Sequence, residues 1–217
     1  MLATSETKSE TLAELVQSLG RIPLTRIMAI PAPGTATEED VLAALEATHK
    51  RLFELIDGVL VEKDMGARES LIGGLIFHQI RLYLDSHDLG IALPADGALR
   101  VFPGRVYIPD VSFVSYAQLP EGELPEAGIP DLFPDLAVEV ISKGNTRGEI
   151  IRKRAGYFRA GTQLVWLIDH RKQIADVYTS PKDHTHLTLD MALDGGDLLP
   201  GLSIPLKSLF GRKGPRK

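Results

Sequence analysis

The sequence contains no cysteine. That excludes disulfide bridges, thiolate metal sites and cysteine nucleophiles, and it fits a reducing, cytoplasmic setting. No apolar run approaches the roughly 20 residues that span a bilayer. The opening MLATSETKSE also lacks the apolar centre of a secretion signal, so neither a membrane partner nor export is expected. Basic residues are not in excess. The 24 Lys and Arg against 29 Asp and Glu give a net charge of −5, which argues against a protein that coats nucleic acid indiscriminately. A local basic groove around an acidic site is still allowed. A P-loop, a Gly-x-Ser-x-Gly elbow and a His-Glu-x-x-His helix are all missing, which removes three common routes to phosphate binding, acyl transfer and zinc hydrolysis. There is no internal repeat. What is present is an ordinary globular balance, 44% hydrophobic and 24% charged over 217 residues, enough for one domain with a full core.

Taken in order, residues 1–10 are polar and predicted to fray. A short helix is expected over 11–19, closed by Gly20, and a Pro- and Gly-rich connector follows to about 36. Thr37 and Asp40 form a capping signature ahead of Val41, Leu42 and Leu45 at helical spacing. In FELIDGVLVEKD (53–64) an Asp-Gly pair between two apolar runs predicts a hairpin. A helix is predicted over 68–86, with Leu71, Leu75, His78 and Leu82 on one side and Ile72 and Ile76 beside them; His78 reads as a hydrogen-bonded core histidine. Strands are predicted at 91–93, 98–102 and 106–114. The long connection 117–134 reads as a mobile flap bordering the functional cleft. A strand at 136–141, a helix over 146–161 with a Thr146–Glu149 capping box, and a hairpin over 163–179 complete the core. A short final helix ends the domain, and 211–217 reads as a basic disordered tail. The strand–helix–strand order at 134–169 implies a right-handed crossover and one parallel pair in a mixed sheet, an α/β or α+β domain.

Two of these strands carry a carboxylate they have no packing reason to hold. Alternation places Ala137, Glu139 and Ile141 on one face and Leu136, Val138 and Val140 on the other. Both faces are apolar, so Glu139 is predicted inside the sheet. Burying even a polar group unpartnered costs on the order of 2–7 kcal/mol, so an arginine, a proton or a metal must answer it. Asp110 follows Pro109 at a strand start, where a turn-stabilising role is the plain alternative. If its strand neighbours that of Glu139, about 4.8 Å away, both carboxylates can reach one ion. All-oxygen ligation selects Mg²⁺ or Mn²⁺ over zinc. Lys153 lies one turn into the following helix, with Glu149 and Tyr157 on its face; its plain alternative is a surface pair with Glu149. His184 and His186 alternate onto one strand face, where a solvated edge is preferred to a zinc site for want of a third ligand.

The ordered set FELIDG–LVE, a helix, PDVSFVS, PDLAVEVIS–N, a lysine-bearing helix ending in Ala-Gly, and LVWLID–VY resembles the Uma-two-type putative restriction endonuclease family of the PD-(D/E)XK nuclease superfamily. The resemblance covers 37–210. It implies a restriction-endonuclease-like αβββαβ core flanked by helices, with an added N-terminal hairpin, and Mg²⁺- or Mn²⁺-dependent cleavage of DNA. It also implies Asp110 and Glu139 as metal ligands, joined by the Val140 carbonyl, with Lys153 and Glu54 as further catalytic residues. The sequence departs from the superfamily at Ile141, where a lysine is expected, and Lys153 on the next helix takes that role. Glu69 stands where many members carry a histidine.

The expected organisation is an N-terminal arm and linker over 1–36, a nuclease-like domain over 37–210, and the tail. The rival reading is a nuclease fold kept as an assembly or regulatory module, its acids idle. A homodimer built on the two hairpins ranks third.

Overall fold

The computed structural model describes residues 11–210; the fraying expected over 1–10 and the basic tail over 211–217 lie outside them. The described chain runs α1 (Leu12–Ser18), α2 (Glu38–Glu46), β1 (Phe53–Ile56), β2 (Val59–Glu62), α3 (Ala67–Leu84), β3 (Gly90–Leu93), β4 (Leu99–Phe102), β5 (Arg105–Tyr107) and β6 (Val111–Ser115). It continues with β7 (Leu136–Val140), α4 (Arg147–Ala160), β8 (Leu164–Asp169), β9 (Ile174–Tyr178), β10 (His184–Leu187), β11 (Ala192–Asp194), β12 (Ser203–Pro205) and α5 (Leu206–Phe210). Local chemistry explains most boundaries. Asp57 and Gly58 both adopt positive φ, +51° and +76°, giving the tight two-residue turn whose twist suits a β1–β2 hairpin. Thr146 accepts the Glu149 amide while the Glu149 carboxylate takes the Thr146 amide, closing both ends of the capping box on α4.

The main sheet has six strands in the order β10-β9-β8-β7-β6-β3. Only β7 and β8 run parallel, joined over one face by α4, the crossover that strand–helix–strand order demands. A second, antiparallel sheet has the order β2-β1-β5-β4, and β11 pairs with β12. One face of the main sheet presents Val111, Phe113, Leu136, Val138 and Trp166 to Ile72, Ile76 and Ile80 of α3 and to α5. The opposite face presents Ala137, Val165 and Leu167 to Tyr157 of α4 and to Tyr107, Ile56 and Val61 of the second sheet. Two apolar faces make β7 a central strand, as its sequence requires.

Three expectations change. The single strand predicted over 106–114 is two strands in two sheets. Pro109 has no amide to continue a ladder, and the chain turns from β5 in the small sheet to β6 in the main one across Ile108–Asp110. On α3 the buried line is Ile72, Ile76, Ile80 and Leu84, spaced by four, whereas Leu71 and Leu82 are more than half exposed and His78 faces solvent. His78 is therefore not a core residue. The connection 117–134 is pinned rather than loose. Leu119 and Leu132 are buried against Leu99 and Val114, Ile129 joins the core under α2, and the Pro130 carbonyl accepts the Arg100 amide. The N-terminal arm packs on the domain. Leu19 and Ile22 are buried with Tyr107 and Tyr157, and Ile27 bridges to Val61.

Candidate active site

The turn between the two sheets makes a small polar crevice. β7 brings Glu139 up on the α4 face. β6 pairs antiparallel with β7, and the Asp110 amide donates to the Val138 carbonyl, so Asp110 stands beside Glu139 at the strand start. β1 supplies Glu54 from the other sheet, and α4 supplies Lys153 from its second turn. All four are less than one-tenth exposed. Gly156 lets α4 lie this close: a methyl there would meet the Tyr107 hydroxyl at 2.5 Å. The crevice has about 10 Å³ of room, one water's worth, with Val140, Lys63 and Asn145 also on its walls.

Lys153 Nζ bridges Glu54 Oε1 at 2.6 Å and Glu139 Oε1 at 2.7 Å. It makes no surface pair with Glu149, which is taken by Arg26. The Tyr157 hydroxyl donates to the same Glu139 oxygen at 2.5 Å. Glu54 Oε1 also accepts the Ile108 amide at 2.9 Å. None of these contacts uses Glu139 Oε2 or Glu54 Oε2. Asp110 is held differently: Oδ2 accepts the Val140 amide at 2.6 Å and Oδ1 lies 2.9 Å from Lys63 Nζ. Lys63 in turn donates to the Ile108 carbonyl at 2.7 Å, so Glu54 and Lys63 bind both backbone groups of the residue where the chain changes sheets.

Three carboxylates thus face two ammonium groups, one negative charge in excess. Burial raises the Glu139 carboxyl; Lys153 pulls it down, and Asp110 and Glu54 push it up again, leaving it at about 7. Burial alone would lower the Lys153 ammonium, yet the Glu139 and Glu54 charges outweigh it and hold it above the ordinary lysine range. The Tyr157 phenol is raised by burial and by the Glu139 charge. The surplus charge, the hard oxygen donors and the unused second oxygens suit a small divalent cation. Among the described residues no group of three or more His, Asp or Glu side chains is arranged to hold a metal by itself. A cation here would rest on two carboxylates and a carbonyl, with water completing its shell.

Asp110, Glu139, Val140, Glu54 and Lys153 therefore converge. The wall residues Lys63, Asp64 and Arg26 were not singled out from sequence, although Lys63 and Asp64 close the stretch 53–64 predicted as a hairpin. Asp64 accepts the Ser142 hydroxyl at 2.5 Å and the Gly144 amide at 2.8 Å, fixing the loop between β7 and α4. Arg26, in the presumed connector, carried no signal. Ile141 packs on the α4 face as an apolar residue and leaves the cationic role to Lys153. Glu69 caps α3 through the Gly66 amide and lies 3.7 Å from His170. His184 and His186 lie exposed beside Asp176, 2.7 Å from His186 Nδ1. No residue of 117–134 lines the crevice, so that connection is not its flap.

No helix among the described residues is long and apolar enough to cross a membrane. No curated protein matches the chain. A crystal structure titled as that of "a putative nuclease belonging to DUF820" from Anabaena variabilis has the same fold, with a TM-score of 0.65 at 22% identity over 73% of this chain and 89% of that one. Residues 39–207 match the sequence model of the Uma2 family, described as "Putative restriction endonuclease". The match spans well over half of the sequence, including both sheets and every wall of the crevice but Arg26, and the chain belongs to the Uma2 family.

Proposed function

We propose that this protein is a divalent-metal-dependent endonuclease that hydrolyses DNA phosphodiester bonds, with its catalytic unit over 37–210. The observation that supports this most is the crevice. Two acids from neighbouring strands, a third from the adjoining sheet and a lysine from the crossover helix meet there, buried, in a chain whose family is described as "Putative restriction endonuclease". Asp110, Glu139 and the Val140 carbonyl are the groups that would hold Mg²⁺ or Mn²⁺. When bound, such an ion lowers the pKa of a coordinated water and offsets charge on a phosphoryl oxygen.

The protein's own groups have distinct parts in this reading. The Val140 amide and the Tyr157 hydroxyl each fix one carboxylate oxygen and so orient Asp110 and Glu139. Lys153 stays protonated at any working pH and stabilises the charge that builds on the scissile phosphate. Glu54, anchored through Oε1, keeps Oε2 to orient the attacking water.

One observation favours the second reading, a nuclease fold serving as an assembly or regulatory module. Both Asp110 oxygens are engaged, one by Lys63, so the acid is already neutralised by the protein. Plasmid nicking separates the two. The wild type is expected to convert supercoiled plasmid to open circles in Mg²⁺ or Mn²⁺ and not in EDTA, and Asp110→Asn to reduce this to background. Plasmid left intact by the wild type with either metal would favour the module.

A further inference from the structure

We infer that the basic groove beside the acidic crevice binds the phosphodiester backbone of duplex DNA and leads it to the crevice. The inference deepens the endonuclease reading and rests on it for the choice of DNA.

The groove encloses about 630 Å³ between the first turns of α4 and the β8–β9 hairpin with β10. Five cations line it, Arg147, Arg154, Arg171, Lys172 and Lys182, against two acids, Asp169 and Asp176. The difference is three positive charges in a chain whose net charge is −5. Both acids are already engaged. Asp169 accepts the backbone amides of Arg171 and Lys172 at 3.1 Å and pairs with the Lys172 ammonium at 3.1 Å, while Asp176 meets His186. Three of the cations have no such partner: among the described residues Arg147, Arg154 and Lys182 form no ion pair. Arg154 lies over the Tyr178 ring, 4.0 Å from its centroid, and its Nε is buried with no hydrogen-bond acceptor. An arginine held over an aromatic ring, with no carboxylate partner, is pre-set for an oxyanion.

The groove adjoins the crevice. Asn145 lines both it and the crevice, so the row of cations lies next to the acids and Lys153. Arg171 donates to the Ser142 carbonyl at 3.3 Å, tying the hairpin to the loop after β7 and keeping the wall in place. The amino end of α4 opens on the same groove and adds its positive dipole end. Spaced cations on both walls suit a repeating phosphate better than one isolated anion. Adjacency to the crevice favours a nucleic acid over an acidic protein segment.

The test is fluorescence anisotropy of a labelled DNA duplex with the full chain in EDTA, titrated at several salt concentrations. The wild type is expected to bind. The double variant Arg147→Ala/Lys182→Ala, both exposed side chains, is expected to bind roughly tenfold or more weakly, with the salt slope shallower by about 2. Arg154→Gln should weaken binding further. Lys50→Ala/Lys207→Ala, which removes the same charge elsewhere on the surface, should bind as the wild type does. No binding by the wild type, or equal losses in groove and control variants, would overturn the inference. Plasmid nicking reads the endonuclease proposal separately. Groove-dependent binding without cleavage sinks that proposal alone, and cleavage by a groove variant that binds as the wild type does sinks the groove alone.

Discussion

Two charged clusters are buried side by side in this protein, and they are built on opposite plans. In the first, Arg26 meets Glu149 in a two-pronged pair, Nη1 to Oε2 at 2.9 Å and Nη2 to Oε1 at 2.8 Å. One cation answers one anion, and two further N–H donors go to the Glu62 and Gly144 carbonyls. Burial would raise the Glu149 carboxyl, but the Arg26 bonds and charge outweigh it and hold it below the ordinary range. In the second, three carboxylates share two lysines and Glu139 is driven up to about 7. The carboxylates of both clusters are less than one-tenth exposed, and burial pushes Glu139 and Glu149 alike upward; they part in the counter-charge each carboxyl receives. A balanced pair with four of the five guanidinium donors used is a clamp, joining the N-terminal segment to β2 and α4. An unbalanced set with unused oxygens keeps capacity for another cation, and that capacity distinguishes a candidate site from a buried ion pair.

The largest effect is expected from breaking the clamp. Arg26→Met leaves Glu149 buried without its cation and should cost about 3–5 kcal/mol in urea melts. Glu139→Gln, by contrast, should leave the metal-free protein as stable or more so while abolishing plasmid nicking. Its volume is nearly unchanged, and Lys153 keeps Glu54. If the two substitutions cost the same, the distinction between clamp and site fails.

The pH dependence sharpens the same contrast, because the two clusters titrate in opposite senses. Glu139 has a folded value raised from 4.5 to about 7. Its contribution is fully present below 4.5 and is lost as pH rises to 7, because the native state keeps a proton that the unfolded chain releases. The advantage of Glu139→Gln over wild type should therefore grow across that window, to at most about 3 kcal/mol, and level off above it. Glu149 has a lowered value, so the clamp contributes above the unfolded carboxylate range and is lost as pH falls through the folded value. The deficit of Arg26→Met should accordingly shrink in acid. Melting curves in metal-free buffers from pH 4 to 8 would show the two differences moving in opposite directions; parallel movement would mean that the charge balance has been misread.

The smallest expected effect lies on α3, away from both clusters. His78→Ala should change stability by no more than about 0.5 kcal/mol, as for an ordinary surface position. Ile76→Ala, two residues away, should cost about 2–5 kcal/mol because it empties a core position. Thermal melts of the pair would check which line of the helix faces the sheet.

Strand periodicity and local chemistry made much of this legible. Asp57-Gly58 announced its hairpin, the Thr146–Glu149 box its helix, and the doubly apolar run 136–140 a central strand with a misplaced acid. These signals lie within a few residues of one another, and the physics that produces them is equally local. The α3 face was harder to read because apolar residues surround most of that helix, so composition did not single out the isoleucine line that meets β6 and β7. The connection 117–134 looked loose because prolines and acids outnumber its anchors, yet three aliphatic side chains suffice to pin it.

By itself the sequence determined most of the elements, that one strand must bury Glu139, and that Asp110 and Lys153 had the chemistry to join it. Only the tertiary structure decided that Pro109 divides one apolar run between two sheets, and that Glu54 and Lys63 hold the residue where it divides. It also decided that Arg26, far off in the chain, takes Glu149 and so leaves Lys153 to Glu139 and Glu54. Which charge pairs with which depends on how the two sheets and α4 are placed against one another. That placement comes from packing summed over the whole core, and no short stretch of sequence encodes it.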